Sequence, residues 1–224
     1  MVHAFYVRSR QRFWSVRHGS GLQINSDVSN YVVHDSVVAY NGQSPSDGDS
    51  WADGITVFGC DNSIIRDSTF AENTDVSLGV NGSSSCSVYR NHVSNSEKFA
   101  FAGLVIGDPC CSGGDYSDND VAAGEDLMGW GILVGPSPWD HGDSIVAGGV
   151  QVYNNSSDGS VVTLAVDGLS GGDVYSNSYS NNRGSHIGSG CGSSAAYTVG
   201  NLYNSASVQG GYSTRTYSSC TPAY

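Results

Sequence analysis

The chain has 224 residues and a formal net charge of −12, with 38% hydrophobic and only 13% charged residues. The acidic balance argues against nucleic acid or an anionic membrane as the main partner, and no run of about 18 apolar residues predicts membrane insertion. Because the apolar residues cluster in short runs, the composition predicts one folded domain rather than a disordered chain.

Residues 1–20 form a basic segment that we treat separately from the rest of the chain. It holds four of the nine basic residues, and no acid occurs before Asp27. The segment lacks the continuous apolar core of a secretory signal. An Arg-rich start of this kind resembles an organelle transit peptide, but we favour the interpretation that it is a partial coil of a chain that begins earlier.

A repeated pattern runs from residue 21 to residue 211, followed by a C-terminal tail at 212–224. Seven copies share an apolar or β-branched pair, then small polar residues, then a second short strand. We take as equivalent the anchor residues Val33, Ile65, Val88, Tyr116, Val152, Val174 and Thr198, which are 22 to 36 residues apart. Repeats of this length predict a solenoid, with the longer steps containing inserted loops.

A polar residue lies three positions after each anchor. These residues are Ser36, Ser68, Asn91, Asn119, Asn155, Asn177 and Asn201. Asn tolerates a left-handed backbone, and its amide can bond to the backbone nearby. Stacked at one corner, such amides form a hydrogen-bonded ladder. This column is the strongest single signal in the sequence.

A further apolar strand precedes each of the first six anchors. The runs are 21–24, 54–59, 76–80, 103–107, 131–135 and 163–168. No window has convincing 3.6-residue periodicity, so we expect almost no helix. The predicted fold is all-β, a right-handed parallel β-helix of about seven coils whose inward residues stack into one core.

The segments DGI (53–55), NSIIRDSTF and CSVYRNHVSN, together with the Asn column, resemble the right-handed parallel β-helix superfamily with the pectate-lyase-like fold. The resemblance covers residues 20 to 210. It implies action on a polysaccharide as a lyase, hydrolase or epimerase, although other members are surface or phage proteins. Function inferred in this way is an analogy from the fold.

Six cysteines indicate an oxidising compartment, and hence a secreted or cell-surface protein. None forms a CxxC pair, which argues against a structural zinc site. We expect Cys60 to pair with Cys86 if they lie on neighbouring coils, and Cys191 with Cys220 to hold the tail. The alternative is buried free thiols.

Inserted loops on one side of the stack carry the candidate catalytic residues. Asp53 and Asp75 lie 22 residues apart, about one coil, so their carboxylates are candidates for a glycosidase pair. Asp126 and His141 are further catalytic candidates. One objection is that Asp53 lies four residues before Val57 and Asp75 five before Val80, which would put them on opposite strand faces.

Aromatic and acidic residues in the same loops are candidates for binding sugar, because an indole stacks on the apolar face of a sugar ring. They are Trp51, Trp130, Trp139, Glu125 and Asp140. The alternative for the tryptophans is packing of loop onto coil. Asp47 and Asp49, with Asp53, suggest a calcium site, since closely spaced acids suit that ion. The alternative is a solvated acidic loop.

Three functions remain open from the sequence. The first is hydrolysis of a neutral polysaccharide by a carboxylate acid and base. The second is a calcium-dependent polysaccharide lyase, which the scarcity of basic residues after residue 17 makes less favoured. The third is a non-catalytic glycan-binding or structural surface module.

Overall fold

The fold was analysed in a computed structural model that describes residues 6–8, 20–42, 51–81, 85–107, 113–124, 127–135, 147–180, 197–200 and 202–209. Within these ranges the chain contains 24 β-strands and no helix. Every pairing between strands is parallel. The chain is a right-handed parallel β-helix, as predicted.

Four sheets run along the helix axis. Sheet A contains β1 (Tyr6–Arg8), β3 (Val32–His34), β6 (Ile64–Arg66), β9 (Ser87–Tyr89), β12 (Asp115–Ser117), β16 (Gln151–Tyr153), β20 (Asp173–Tyr175) and β24 (Ser207–Val208). Sheet B contains β4 (Val37–Ala39), β7 (Thr69–Ala71), β10 (His92–Asn95), β13 (Asp120–Ala123), β17 (Ser156–Asp158) and β21 (Ser178–Ser180).

Sheet C contains β2 (Leu22–Ile24), β5 (Ile55–Val57), β8 (Val76–Asn81), β11 (Ala100–Gly107), β14 (Met128–Val134), β18 (Val162–Val166) and β22 (Tyr197–Val199). The small sheet D contains β15 (Ala147–Gly148), β19 (Leu169–Ser170) and β23 (Leu202–Tyr203). A typical coil passes from sheet C to sheet A, then to sheet B, and returns to sheet C one rung further along the axis.

The core is a set of apolar columns, in which each coil stacks its inward residue on that of the previous coil. In sheet C, Leu78, Leu104 and Ile132 are register partners, and all three are fully buried. In sheet A, the anchors from Val33 to Val174 lie in one register, as predicted. Burial of these columns is the main favourable contribution to folding.

The predicted amide ladder is confirmed at the corner between sheets A and B. The side-chain amides of Asn91, Asn119 and Asn155 each donate to the Oδ1 of the next Asn, the last being Asn177, at 2.9–3.0 Å. The backbone nitrogen of each also donates to that same Oδ1, at 2.9–3.1 Å. The buried polar groups of this corner are therefore paired from coil to coil.

The left-handed residue at this corner is the one before the ladder residue, not the Asn itself. The φ angle is between 47° and 55° at Asp35, Asp67, Arg90, Asp118, Asn154 and Ser176. The corner thus separates two tasks that the sequence analysis gave to one residue. The first residue turns the chain, and the second bonds to the neighbouring coil.

The seventh predicted copy is wrong in register. Thr198 pairs with Ala165 in sheet C, whereas Val208 is the partner of Val174 in sheet A. The run at 197–206 resembles the other copies because it also begins with a β-branched strand. Asn201 therefore does not lie three residues after a sheet A anchor, and its own placement is outside the described residues.

A second, shorter amide column lies at the corner between sheets B and C, and the sequence analysis missed it. The Asn41 amide donates to Asn73 Oδ1 at 2.7 Å, and the Asn95 amide donates to the Asn73 carbonyl at 3.1 Å. All three residues are fully buried. Their sequence signal is an Asn at the end of each sheet B strand of the first three coils or two residues after it.

The predicted disulfide between Cys60 and Cys86 is confirmed. Their Cα atoms are 5.1 Å apart, and both residues are buried in the core. A buried disulfide is typical of proteins from oxidising compartments. Cys110, Cys111, Cys191 and Cys220 lie outside the described residues. Within the described ranges, no helix is long and apolar enough to cross a membrane.

Candidate functional site

An open pocket of about 220 Å³ lies on the outer face of sheet C, over β5 and β8. Its lining residues are Asp53, Thr56, Phe58, Asp75, Val76, Gly79 and Asn81. The pocket combines two carboxyl groups, an aromatic ring and a glycine on two neighbouring coils. It therefore contains both described members of the predicted catalytic set.

The two aspartates reach the same pocket because neither lies within a strand. β5 begins at Ile55 and β8 begins at Val76, so Asp53 and Asp75 both precede the regular alternation of side chains. The Asp75 backbone nitrogen donates to the Ala52 carbonyl at 3.1 Å, which fixes the stagger of the two segments. The objection based on strand parity therefore does not hold.

Hydrogen bonds hold the carboxylate of Asp53 in position. The backbone nitrogen of Val76 donates to its Oδ1 at 3.0 Å. The hydroxyl groups of Ser20 and Thr56 donate to its Oδ2. Burial raises the pKa of Asp53, and these three donors offset part of that rise because they stabilise the charged form.

Asp75 is the more perturbed of the two acids. Burial, followed by repulsion from the charge of Asp53, raises the pKa of Asp75 to about 7. Its carboxyl group accepts no hydrogen bond from any residue that the structure describes. Because the charge of Asp53 is one cause of the raised pKa of Asp75, Asp53 is the member that ionises first and Asp75 the member that keeps its proton to higher pH. Unequal carboxyl groups of this kind are the requirement for acid and base catalysis.

Two further residues shape the pocket and were missed in the sequence. Phe58 follows the buried Val57 and is 41% exposed, so its ring is available as an apolar surface at the pocket. Gly79 occupies the outward position between Thr56 and Val105, its register partners on either side, and leaves the space that a side chain would fill. Phe58 lies directly after β5, and nothing in the sequence distinguishes its exposed ring from a buried one.

The two described tryptophans of the predicted set, Trp51 and Trp130, do not line this pocket. Trp51 packs edge-on against Phe99, with 6.2 Å between the ring centroids. The prediction for Trp130 as a binding residue is wrong, because this side chain is only 2% exposed and packs in a cluster with Ala102, Leu133 and Val162. A buried indole stabilises the fold and cannot stack on a polysaccharide.

The remaining predicted site residues lie outside the described residues. They are Asp126, His141, Trp139, Glu125, Asp140, Asp47 and Asp49. Among the residues that are described, no group of three or more His, Cys, Asp or Glu is arranged to hold a metal ion. The calcium hypothesis therefore stays a prediction.

The chain matches no protein-family model, no curated protein and no solved structure.

Proposed function

We propose that this chain is a secreted or cell-surface protein that hydrolyses a glycosidic bond in a neutral polysaccharide, and that it belongs to the pectate-lyase-like superfamily. The observation that carries the proposal is the Asp53–Asp75 pair, in which one carboxylate is anchored by donors and its neighbour has a pKa of about 7. Acid-catalysed cleavage of a glycosidic bond requires two carboxyl groups in these two states.

In the proposed reaction, protonated Asp75 donates its proton to the oxygen of the scissile bond. Ionised Asp53 stabilises the positive charge that develops at the anomeric carbon as the bond to the leaving oxygen breaks. A water molecule then adds to that carbon and gives its proton to Asp75, which restores the acid. Because Ser20, Thr56 and the Val76 backbone hold it in place, Asp53 does not have to reorient as that charge forms. The exposed ring of Phe58 offers a flat surface for the apolar face of a sugar.

The pocket favours a substrate without acid groups. Its described lining residues include two acids and no base. Among these residues a uronic acid would be repelled and would find no cationic partner. A calcium-dependent lyase remains the alternative if a cation bridges the carboxylates to an acidic sugar. The non-catalytic alternative keeps the aromatic surface but needs neither acid.

The test is a panel of neutral and uronic polysaccharides treated with the full chain, with and without a calcium chelator. New reducing ends without an ultraviolet chromophore support hydrolysis, whereas an unsaturated chromophore that the chelator abolishes supports the lyase. We expect Asp75→Asn and Asp53→Asn each to lower the cleavage rate at least about 100-fold, the usual scale of acid–base catalysis.

Asp27→Asn is the matched control, because Asp27 is an exposed aspartate on a turn before sheet A. We expect it to leave cleavage unchanged. Cleavage that persists in both active-site variants would show that Asp53 and Asp75 are not the catalytic residues. Absence of any cleavage would favour the binding module.

A further inference from the structure

A row of three outward side chains crosses the end of the sheet C pocket that lies away from the two carboxyl groups. Asn25 follows β2, Phe58 follows β5 and Asn81 ends β8, and each comes directly after a member of one inward register row. The Phe58 backbone nitrogen donates to the Ile24 carbonyl at 2.8 Å, which fixes the register of the first two coils. Because successive residues of a strand point to opposite faces, all three side chains point outward. We call these three residues the Phe58 row.

The Phe58 row places an aromatic ring between two amide groups. Phe58 is 41% exposed, and both Phe58 and Asn81 line the pocket. Asn25 is exposed, and the Gln23 side chain donates to its Oδ1 at 2.8 Å. This bond orients the Asn25 amide and leaves the amide nitrogen as a donor. A sugar offers an apolar face to the ring and hydroxyl groups to the amides, so the row has the chemistry of a sugar-binding surface.

The Phe58 row adjoins the proposed catalytic pair. The Thr56 hydroxyl donates to Asp53, and Thr56 lies two residues before Phe58 on the same strand face. Two residues of a strand span about 7 Å, which is comparable with the length of one sugar unit in a polymer. The same pocket is lined by Asp53, Asp75 and Phe58. A sugar at the Phe58 row would therefore be the neighbour of the sugar at the carboxyl pair.

The following coil closes one side of the pocket. Val105 and Gly107 on β11 are the register partners of Gly79 and Asn81. Both β11 residues are buried, whereas Asn25, on the opposite side of the row, is exposed. A polymer cannot lie on a surface that solvent does not reach, so it cannot continue along the solenoid axis past β8. A chain that contacts both the carboxyl pair and the Phe58 row therefore runs parallel to the strands.

The groups at the Phe58 row favour a ligand without charge. An aromatic ring and two amides carry no formal charge, and the ionisable groups among the described lining residues are the acids Asp53 and Asp75. Amides bond to hydroxyl groups as donors and acceptors, but they do not neutralise a carboxylate. A uronic acid at the row would therefore gain nothing that offsets its repulsion from the two acids.

We propose that the Phe58 row is the sugar-binding subsite next to the cleaved bond, where Phe58 supports one neutral sugar ring and Asn25 and Asn81 bond its hydroxyl groups from the two neighbouring coils. This inference rests on the proposed function and deepens it, because it names the residues that select the sugar beside the scissile bond. It also fixes the path of the substrate, which crosses the solenoid parallel to the strands.

The test measures binding by NMR titration in the Asp75→Asn background, so that cleavage does not interfere. The probes are hexasaccharides of β-1,4-linked glucose, mannose and xylose, and of galacturonic acid. We expect Phe58→Ala to weaken binding of the best neutral probe about tenfold or more, because the stacking surface is lost. Asn25→Ala and Asn81→Ala should each weaken it about threefold to tenfold, because each removes hydrogen bonds to the sugar.

Gln209→Ala is the matched control, since it removes an exposed amide directly after β24 of sheet A. It should bind like the Asp75→Asn parent, and its thermal melt should match those of the two asparagine variants. The proposal would be overturned by a parent that binds none of the neutral probes or binds the acidic probe more tightly. Unchanged binding in both asparagine variants, or an equal loss in the control, would overturn it as well.

The two proposals fail separately. If the protein cleaves nothing but binds a neutral hexasaccharide through Asn25, Phe58 and Asn81, the catalytic assignment is wrong and the subsite stands. If Asp53→Asn and Asp75→Asn abolish cleavage while both asparagine variants bind and cleave like their parents, the subsite is wrong and the catalytic pair stands.

Discussion

The outer face of sheet C has two halves that share one backbone arrangement and differ in chemistry. On β2, β5 and β8, one outward row carries Gln23, Thr56 and Gly79, and the pocket opens beside them. On β11, β14 and β18, the same row continues with Val105, Leu133 and Ala165, which are all fully buried.

The difference between the two halves shows that the repeated backbone of the solenoid does not determine where a functional site lies. The inner columns of apolar residues are alike in both halves, so the core supports either outer surface. Carboxylates can be placed only on the open, polar half, because burial in the apolar half would cost several kcal/mol per ionised group. The apolar half contributes stability instead, through a second cluster around Trp130.

The largest effect should come from removing apolar volume in the buried half. We expect Leu133→Ala to lower the free energy of unfolding by about 2–5 kcal/mol, as for other buried leucines. Gln23→Ala changes the exposed end of the same row and should stay within about 0.5 kcal/mol of the parent. Chemical denaturation measures the free energy of unfolding of both variants. If the two variants lost similar amounts of stability, the buried and polar halves would not differ as we infer.

An intermediate effect should follow the ionisation of Asp75 in the polar half. Because its pKa is raised from 3.8 to about 7, the native state holds a proton that the unfolded state releases. Stability is therefore lost as pH rises from the unfolded pKa through the folded one, and it levels off above that.

Asp75→Asn removes this pH dependence. We expect the variant to be more stable than the parent at pH 8 by roughly 1–3 kcal/mol, since one pKa unit corresponds to about 1.4 kcal/mol, and to differ little at pH 4. Denaturation curves at the two pH values measure this. A parent protein whose stability is constant across that range would contradict the assignment of a raised pKa.

The smallest effect on stability should come from filling the pocket at Gly79. An added Cβ would lie 3.3 Å from Val76 Cγ1, so the Val76 side chain must shift by a few tenths of an ångström. We expect Gly79→Val to cost about 1 kcal/mol or less, while cleavage falls because the space between Thr56 and Val105 is occupied. Full cleavage by a stably folded Gly79→Val protein would exclude this pocket as the site.

The parts of the fold that were predicted correctly depend on short, repeated signals. The ladder from Asn91 to Asn177 was readable because each coil repeats the same local requirement. The Cys60–Cys86 pair was readable because its separation of 26 residues is about one coil. The mistake at Thr198 arose where one strand of sheet C imitates the pattern of sheet A. Local composition does not distinguish two sheets whose strands are equally short and β-branched.

The candidate site was predicted only in part. Asp53 and Asp75 were identified by their spacing of one coil, but Phe58 was not, because exposure of an aromatic residue on an outer face is not visible in the sequence. The prediction that Trp130 binds sugar failed for the opposite reason. Its position beside a loop suggested exposure, whereas packing against Leu133 and Val162 buries it.

By itself, the sequence determined the coil repeat, the amide column, the inward apolar residues and the candidate acids, because these follow from which residue types recur at one spacing. Tertiary structure decided which outward residues are open and which are covered, and which carboxyl group carries the proton. Those properties depend on desolvation and on the charge of a neighbour one coil away. Neither is fixed until the coils have stacked in register.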